Sequence, residues 1–201
     1  MTAGRFIVLE GADGVGTTTQ MRALADVLRA RGRTVHTTAE PSTGPIGVLI
    51  RSTLKTRAHD EATRKELALL FAADRLHHYS QEVAPQLAAG VDVISDRYAL
   101  SSLVYQSLEL DIEWVATLNQ FAPKPDACVL VTLPVAQALA RLSARAERDL
   151  FETQPIQERV HARYGELAVR ADALIVDGSG TVDEVTARIV RCLDGALGAS
   201  W

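Results

Sequence analysis

Only two of the 201 residues are cysteine. Cys128 and Cys192 stand far apart, without the close pairing that a metal site or redox motif needs, and two thiols are too few for a disulfide framework. Both read as core or near-core thiols. No window approaches the ~18 uninterrupted apolar residues of a membrane span. The opening "MTAGRFIVLEG" also lacks the basic segment, apolar run and cleavage site of a secretory leader. A cytoplasmic location is expected. Basic excess is missing too: the net charge is -4 with both signs interspersed, which argues against general nucleic-acid or membrane-surface binding. Small-molecule chemistry is the better expectation. Finally, no proline-rich or serine-rich linker and no internal repeat interrupts the chain, so residues 1–201 are expected to fold as one domain.

What is present is alternation. "RFIVLE" (5–10), "TVHTTAE" (34–40), "VDVISD" (91–96), "ACVLVTL" (127–133) and "ALIVDG" (173–178) read as five strands. Their near-continuous apolar character suits a parallel sheet covered by helices on both faces. Helical periods lie near 17–31, 45–55, 61–89, 98–108, 111–120, 134–146, 153–170 and 181–197, with Gly32 and Gly90 placed to end two of them. The pattern predicts an α/β fold with a five-stranded parallel sheet.

The stretch "EGADGVGTTTQ" (10–20) follows the first strand and opens a helix, at the strand edge where ligands of open parallel sheets gather. Gly11, Gly14 and Gly16 let the backbone of Gly11, Ala12, Asp13, Gly14, Val15, Gly16, Thr17, Thr18 and Thr19 curl around phosphate oxygens. Thr18 holds the hydroxyl position that ligates magnesium in such loops. The loop lacks one thing: the spacing G-x-x-x-x-G-K-[ST] places lysine where this chain has Thr17. A hydroxyl can donate a hydrogen bond but supplies no charge, and a charge-assisted bond is worth about 1.5–3 kcal/mol. The G-x-G-x-x-G spacing of dinucleotide-binding folds is not met.

"ISDRYALSSLVYQ" (94–106) brings Asp96 and Arg97 to the end of the third strand, on the same edge. Arg97 has the forked donor that grips a phosphate, and Asp96 has the carboxylate that helps organise magnesium. In "LLFAADRLHHYS" (69–80), Phe71 and Arg75 share a helical face. Taken alone, Phe71 and Arg75 read as core packing and a surface cation, and Asp96 with Arg97 as a structural ion pair. His77 and His78 read as surface or partly buried histidines without a role. "SARAERDLFETQ" (143–154) breaks the apolar rhythm and by itself reads as a solvated connection between helices.

In order along the chain, "FIVLEGADGVGTTTQ", "EPSTGPIGVLIR", "LLFAADR", "DRYALSSLVYQ", "ARAERDLFE" and "RYGELA" resemble the thymidylate kinases over nearly its whole length. These are P-loop nucleoside monophosphate kinases that phosphorylate dTMP with ATP and Mg2+. The resemblance implies that fold, a homodimer packed through helices, and specific site residues. Phe71 would stack on thymine and Arg75 would bond its carbonyl edge, with Ser102 and Gln106 near the base. Glu40, Pro41 and Arg51 would complete the acceptor pocket, and Arg97 would hold the acceptor phosphate. Tyr105 would crowd the sugar 2' position, and Asp13 would meet the 3'-hydroxyl. Residues 143–154 are similar to the lid of bacterial-type members, whose arginines bring catalytic charge to a loop without its own arginine. Val15 fits that pattern, and Arg141, Arg145 and Arg148 are the available cations. Leu150 and Ala39 depart from it, standing where relatives often carry a basic residue. Two alternatives stay open: a weakly catalytic or inactive nucleotide-binding protein, and a kinase for another deoxynucleotide.

Overall fold

The computed structural model describes residues 3–56, 60–143 and 154–198. Five strands, β1 (Phe6–Glu10), β2 (Val35–Ala39), β3 (Asp92–Asp96), β4 (Ala127–Thr132) and β5 (Leu174–Asp177), form a parallel sheet of order β2-β3-β1-β4-β5. The helices are α1 (Thr17–Ala30), α2 (Pro45–Thr56), α3 (Glu61–His78), α4 (Ala84–Ala88), α5 (Ala99–Gln106), α6 (Ile112–Leu118), α7 (Val135–Ser143), α8 (Gln154–Leu167) and α9 (Val182–Leu197).

Both sheet faces are buried, which explains why the strands lack polar alternation. Ile7 and Leu9 of β1 join the larger core with Leu24 and Leu28 of α1 and Ile189 and Leu193 of α9, all inaccessible to solvent. Phe6 and Val8 point the other way and pack with Val83, Val93 and Tyr98. Each such large apolar side chain contributes about 1.5–3 kcal/mol through burial. Among the described residues, no helix is long and apolar enough to cross a membrane.

Local chemistry sets the element ends. Asp60, Asp111 and Thr181 cap α3, α6 and α9 by accepting backbone N–H bonds, Thr181 in a reciprocal box with Glu184. Gly32 and Gly90 adopt φ of 83° and 79° just beyond α1 and α4, the stops their positions predict. The expected continuous helix over 61–89 is instead interrupted by a π-turn at Tyr79–Val83. Pro85 has no N–H to give the Gln81 carbonyl, and widening the preceding turn accommodates that missing bond. Elsewhere the helix ends inside the described residues fall within a few residues of the sequence pattern, the ordinary scatter between helix boundaries, and the expected ends at 146 and 153 lie outside those residues.

Strand register decides what meets. Leu9 pairs with both Asp96 and Val129, and Ala39 pairs with Asp96. The residues that follow β1, β2 and β3 therefore emerge together: the loop after Glu10, the Glu40-Pro41 turn with its cis peptide bond, and Arg97.

Candidate active site

The loop from Gly11 to Gly16 turns tightly against α7. A Cβ on Gly14, whose φ is 83°, would lie 2.5 Å from the Ala138 carbonyl oxygen. Glycine is required there both by conformation and by space. The N-terminus of α1 has no side-chain cap, and Gly16 precedes it at φ 101°. Its first N–H groups are thus directed at whatever anion the loop encloses. Val15 is buried, and Thr17 is only 7% exposed, its methyl turned toward Gly11 beneath the loop. Thr18 and Thr19 sit exposed at the helix start.

The Thr18 hydroxyl donates to Asp96 Oδ2 at the end of β3. Asp96 is 7% exposed, and its Oδ1 is buried without a hydrogen-bond partner. An orphaned carboxylate oxygen beside a hydroxyl is a donor set that suits magnesium, with its other positions left to phosphate and water. Among the described residues no cluster of three or more His, Cys, Asp or Glu could hold a metal by itself.

Arg97 follows immediately in left-handed backbone, φ 72°. A non-glycine residue there is strained. Its N–H is anchored by the Leu9 carbonyl at 2.8 Å. The guanidinium reaches Asp13 Oδ1 (2.5 Å), Ser101 Oγ (3.1 Å) and the hydroxyls of Tyr105 and Tyr164 (both 3.3 Å), and lies over the Tyr105 ring. Burial opposes its charge, but Tyr105, Asp13, Tyr164 and Asp96 outweigh that and hold its pKa well above the usual arginine value. Asp13 gathers two further donors, the Tyr105 hydroxyl and Gln157 Nε2, each at 3.0 Å. Burial pushes the Tyr105 hydroxyl up, so it stays a donor.

Beside this cluster opens a cavity of about 350 Å³. Asp13, Arg97 and Tyr105 line one part, and Phe71, Arg75, Ser102, Gln106, Glu40 and Pro41 line another. Arg75 is no surface cation: it is 1% exposed and donates to the Tyr98 carbonyl (3.1 Å), Ser102 Oγ (3.0 Å) and Asn119 Oδ1, with Glu40 Oε2 at 2.8 Å. Gln106 Nε2 donates to Ser102 Oγ at 3.4 Å, while its Oε1 is buried without a partner.

Arg51 is the exception among the expected pocket residues. It is absent from the cavity lining, and its guanidinium clamps the carbonyls of Pro41 and Ser42. Its fork is consumed by the backbone of the cis-proline turn, so it shapes the pocket from outside. Arg141 lies on the outer lip of the phosphate loop, donating to the Val15 carbonyl (3.1 Å) and, more weakly, the Gly178 carbonyl (3.5 Å). Arg145, Arg148 and Leu150 fall outside the described residues, as does most of segment 143–154.

Several site residues escape a motif search. Glu10, inaccessible to solvent at the end of β1, accepts from the Tyr98 and Ser101 backbone N–H groups (2.8 and 3.1 Å), Ser101 Oγ (2.6 Å) and the Tyr164 hydroxyl (3.0 Å). Burial nonetheless raises its pKa. A glutamate ending an apolar strand was the available signal. Gln157 on α8 carried none, and Tyr164 stood in "RYGELA" without an assigned role, because their partners Asp13 and Glu10 are more than a hundred residues away in sequence. His78 is also fully buried, not a surface group, and contacts Glu40.

With this geometry in view, comparison with known proteins is specific. The thymidylate kinase family model matches residues 9–189. The chain belongs to the thymidylate kinase family. It is 39% identical to a probable thymidylate kinase of Thermococcus kodakarensis and 39% identical to one of Pyrococcus abyssi, each alignment covering 96% of this chain and 98% of the relative. A thymidylate kinase of Desulfotalea psychrophila is 38% identical over 82% of both chains. In a thymidylate kinase fold, the edge shared by β1, β2 and β3 is where the loop, Asp96 with Arg97, and the cavity converge.

Proposed function

We propose that this chain transfers the terminal phosphoryl group of ATP to dTMP, giving dTDP and ADP. The observation that carries the reading is the cavity beside the loop, with its aromatic and amide wall at Phe71, Ser102 and Gln106 and its cation, Arg97, next to Asp13. A flat base needs a ring face and edge partners, and a phosphate needs a forked cation. Phe71 stacks on thymine, while Arg75, Ser102 and Gln106 address its edge. Glu40 and Pro41 close the pocket, with Arg51 bracing their turn. Tyr105 and Asp13 face the sugar. Arg97 holds the acceptor phosphate in line with the donor, one of whose γ-phosphorus bonds is replaced: the acceptor oxygen bonds phosphorus as the bond to the β–γ bridging oxygen breaks. The protein contributes positioning and charge.

Residues 11–19 cradle the ATP phosphates through backbone N–H groups. Thr18 and Asp96 would hold Mg2+, which when bound neutralises donor phosphate charge. The loop has Thr17 where lysine would bring charge, and that residue is buried with its methyl against Gly11. In the bacterial-type arrangement proposed here, Arg141, Arg145 and Arg148 supply the cationic charge from a lid spanning 143–154 of a one-domain chain. Exposed Val48 and Leu49 on α2 and Leu69 and Leu76 on α3 support a homodimer packed through helices. Cytoplasmic action completes this reading.

Thr17 favours one second reading, a nucleotide-binding protein with little turnover. An ADP-release assay with ATP, Mg2+ and a panel of dTMP, dUMP, dCMP and thymidine separates the readings. Rapid ADP formation with dTMP, lost on chelation of Mg2+, is the expected result. Thermal stabilisation by nucleotides without ADP release would support the second reading, and a faster rate with dUMP or dCMP would reassign the acceptor.

A further inference from the structure

Helix α8 turns one narrow face inward: Gln157, Val160, Tyr164 and Leu167 are its buried residues, spaced three, four and three apart. An apolar side chain fills such a position without any loss of hydrogen bonds to water. Gln157 instead brings an amide to a place that solvent does not reach, 0% exposed, where a polar group is costly unless it is hydrogen-bonded. Its bond runs to the phosphate loop, from Nε2 to Asp13 Oδ2 at 3.0 Å. Asp13 is paired with Arg97, and a carboxylate only accepts, so the amide nitrogen and not its oxygen faces the loop.

Two turns along the same face, Tyr164 meets the other half of that ion pair. Its hydroxyl donates to Glu10 Oε2 (3.0 Å) and accepts from Arg97 Nη1 (3.3 Å). Helix α8 thus touches both Asp13 and Arg97, and its Ile156 and Arg159 line the acceptor cavity. Asp13 receives three donors: Arg97 Nη2 on Oδ1 (2.5 Å), and the Tyr105 hydroxyl and Gln157 Nε2 on Oδ2 (both 3.0 Å). Arg97 and Tyr105 reach it from one segment, and two bonds alone leave the carboxylate plane free to tilt about the line between them. The third bond, from a different helix, removes that freedom. A carboxylate offers about four acceptor positions. Among the described residues one stays open, on Oδ1, and Asp13 lines the cavity with its side chain 24% exposed.

We propose that Gln157 is a positioning residue for the acceptor: by fixing the Asp13 carboxylate it keeps the open position of Oδ1 available to the acceptor's 3'-hydroxyl, and so helps the site prefer a 3'-hydroxylated nucleotide over its 3'-deoxy counterpart. The proposal rests on the acceptor site proposed above. Gln157 is absent from the cavity lining and acts through Asp13.

Gln157→Met keeps the volume of the side chain and removes the donor. With dTMP as acceptor, kcat/KM is expected to fall about ten-fold, since a hydrogen bond to a charged group accounts for about one to two decades and the Arg97 and Tyr105 bonds remain. With 3'-deoxythymidine monophosphate, which has no hydroxyl for Asp13 to meet, the change should stay within about two-fold. A role in packing alone would lower both acceptors alike, so equal losses, or no loss with dTMP, overturn the proposal. Equal use of the two acceptors by the unaltered chain overturns it too. The contact itself is readable without turnover: in the whole chain labelled with 15N, the Gln157 side-chain amide is expected to exchange slowly with solvent and to shift in Asp13→Ala. Where Gln157→Met does not fold, this measurement decides, and an amide signal unmoved by Asp13→Ala overturns the contact on which the positioning role depends. No turnover with either acceptor in the unaltered chain would instead overturn the acceptor reading and leave the NMR result standing.

Discussion

Replacing Arg97 is the sharpest perturbation of the proposed site. Its guanidinium makes four side-chain hydrogen bonds, one of them to the Asp13 carboxylate at 2.5 Å. Arg97→Ala leaves Asp13 with the Tyr105 and Gln157 donors but, among the described residues, no cation. The Arg97 and Asp13 side chains are 22% and 24% exposed. Their pairing therefore lies between a surface pair worth under about 1 kcal/mol and a fully buried pair whose breakage costs about 3–5, which gives about 1–2 kcal/mol. A domain stable by about 5–15 kcal/mol survives that loss. Catalysis has more to lose. A bidentate grip on the acceptor phosphate comprises two charge-assisted bonds of about 1.5–3 kcal/mol each, so kcat/KM should fall by about 10² to 10⁴. ADP release at varied dTMP, alongside a thermal melt, measures both effects. Arg97→Gly is a useful companion, because glycine relieves the left-handed strain that alanine keeps. Equal catalytic losses in both variants assign the effect to the guanidinium. A folded Arg97→Ala enzyme within ten-fold of the unaltered kcat/KM would refute the assignment.

Thr17→Lys should tighten ATP binding about ten-fold or more by restoring a charged donor at the loop, as read by calorimetric titration. No change would mean that cations elsewhere already saturate the phosphates. Glu10 predicts a pH effect of unusual sign. Its folded-state pKa is raised by burial from an ordinary 4.5, so its contribution to stability is present below about that pH and is lost as pH rises through the folded value. Urea unfolding from pH 4 to 8 should show a smaller decline, or a greater rise, with pH in Glu10→Gln than in the unaltered chain. Identical slopes would sink this account.

Much of the fold was legible because its signals are local. Strand burial on both faces writes itself as unbroken apolar runs such as "FIVL" and "CVLV", and Gly32 and Gly90 mark helix ends through a conformation that glycine adopts readily. The phosphate loop was legible in part for the same reason, since Gly14 and Gly16 answer the loop's own need for positive φ, 83° and 101°. The π-turn at 79–83 was less so, because Pro85 admits either a helix break or a widened turn.

Sequence alone therefore determined the sheet, the loop, and the residue types able to meet a nucleotide. Only the tertiary structure decided how those residues are employed. Parallel register brought Glu40, Asp96 and the end of β1 side by side from three distant strands, and burial then favoured partners for most of the polar groups there, though not for Asp96 Oδ1. Burial drew Gln157 to Asp13 and joined Arg75 to Glu40 and His78, while the exposed Arg51 turns onto the backbone of Pro41 and Ser42. Hydrogen bonding over such separations depends on where the chain returns in space, which no spacing along it records.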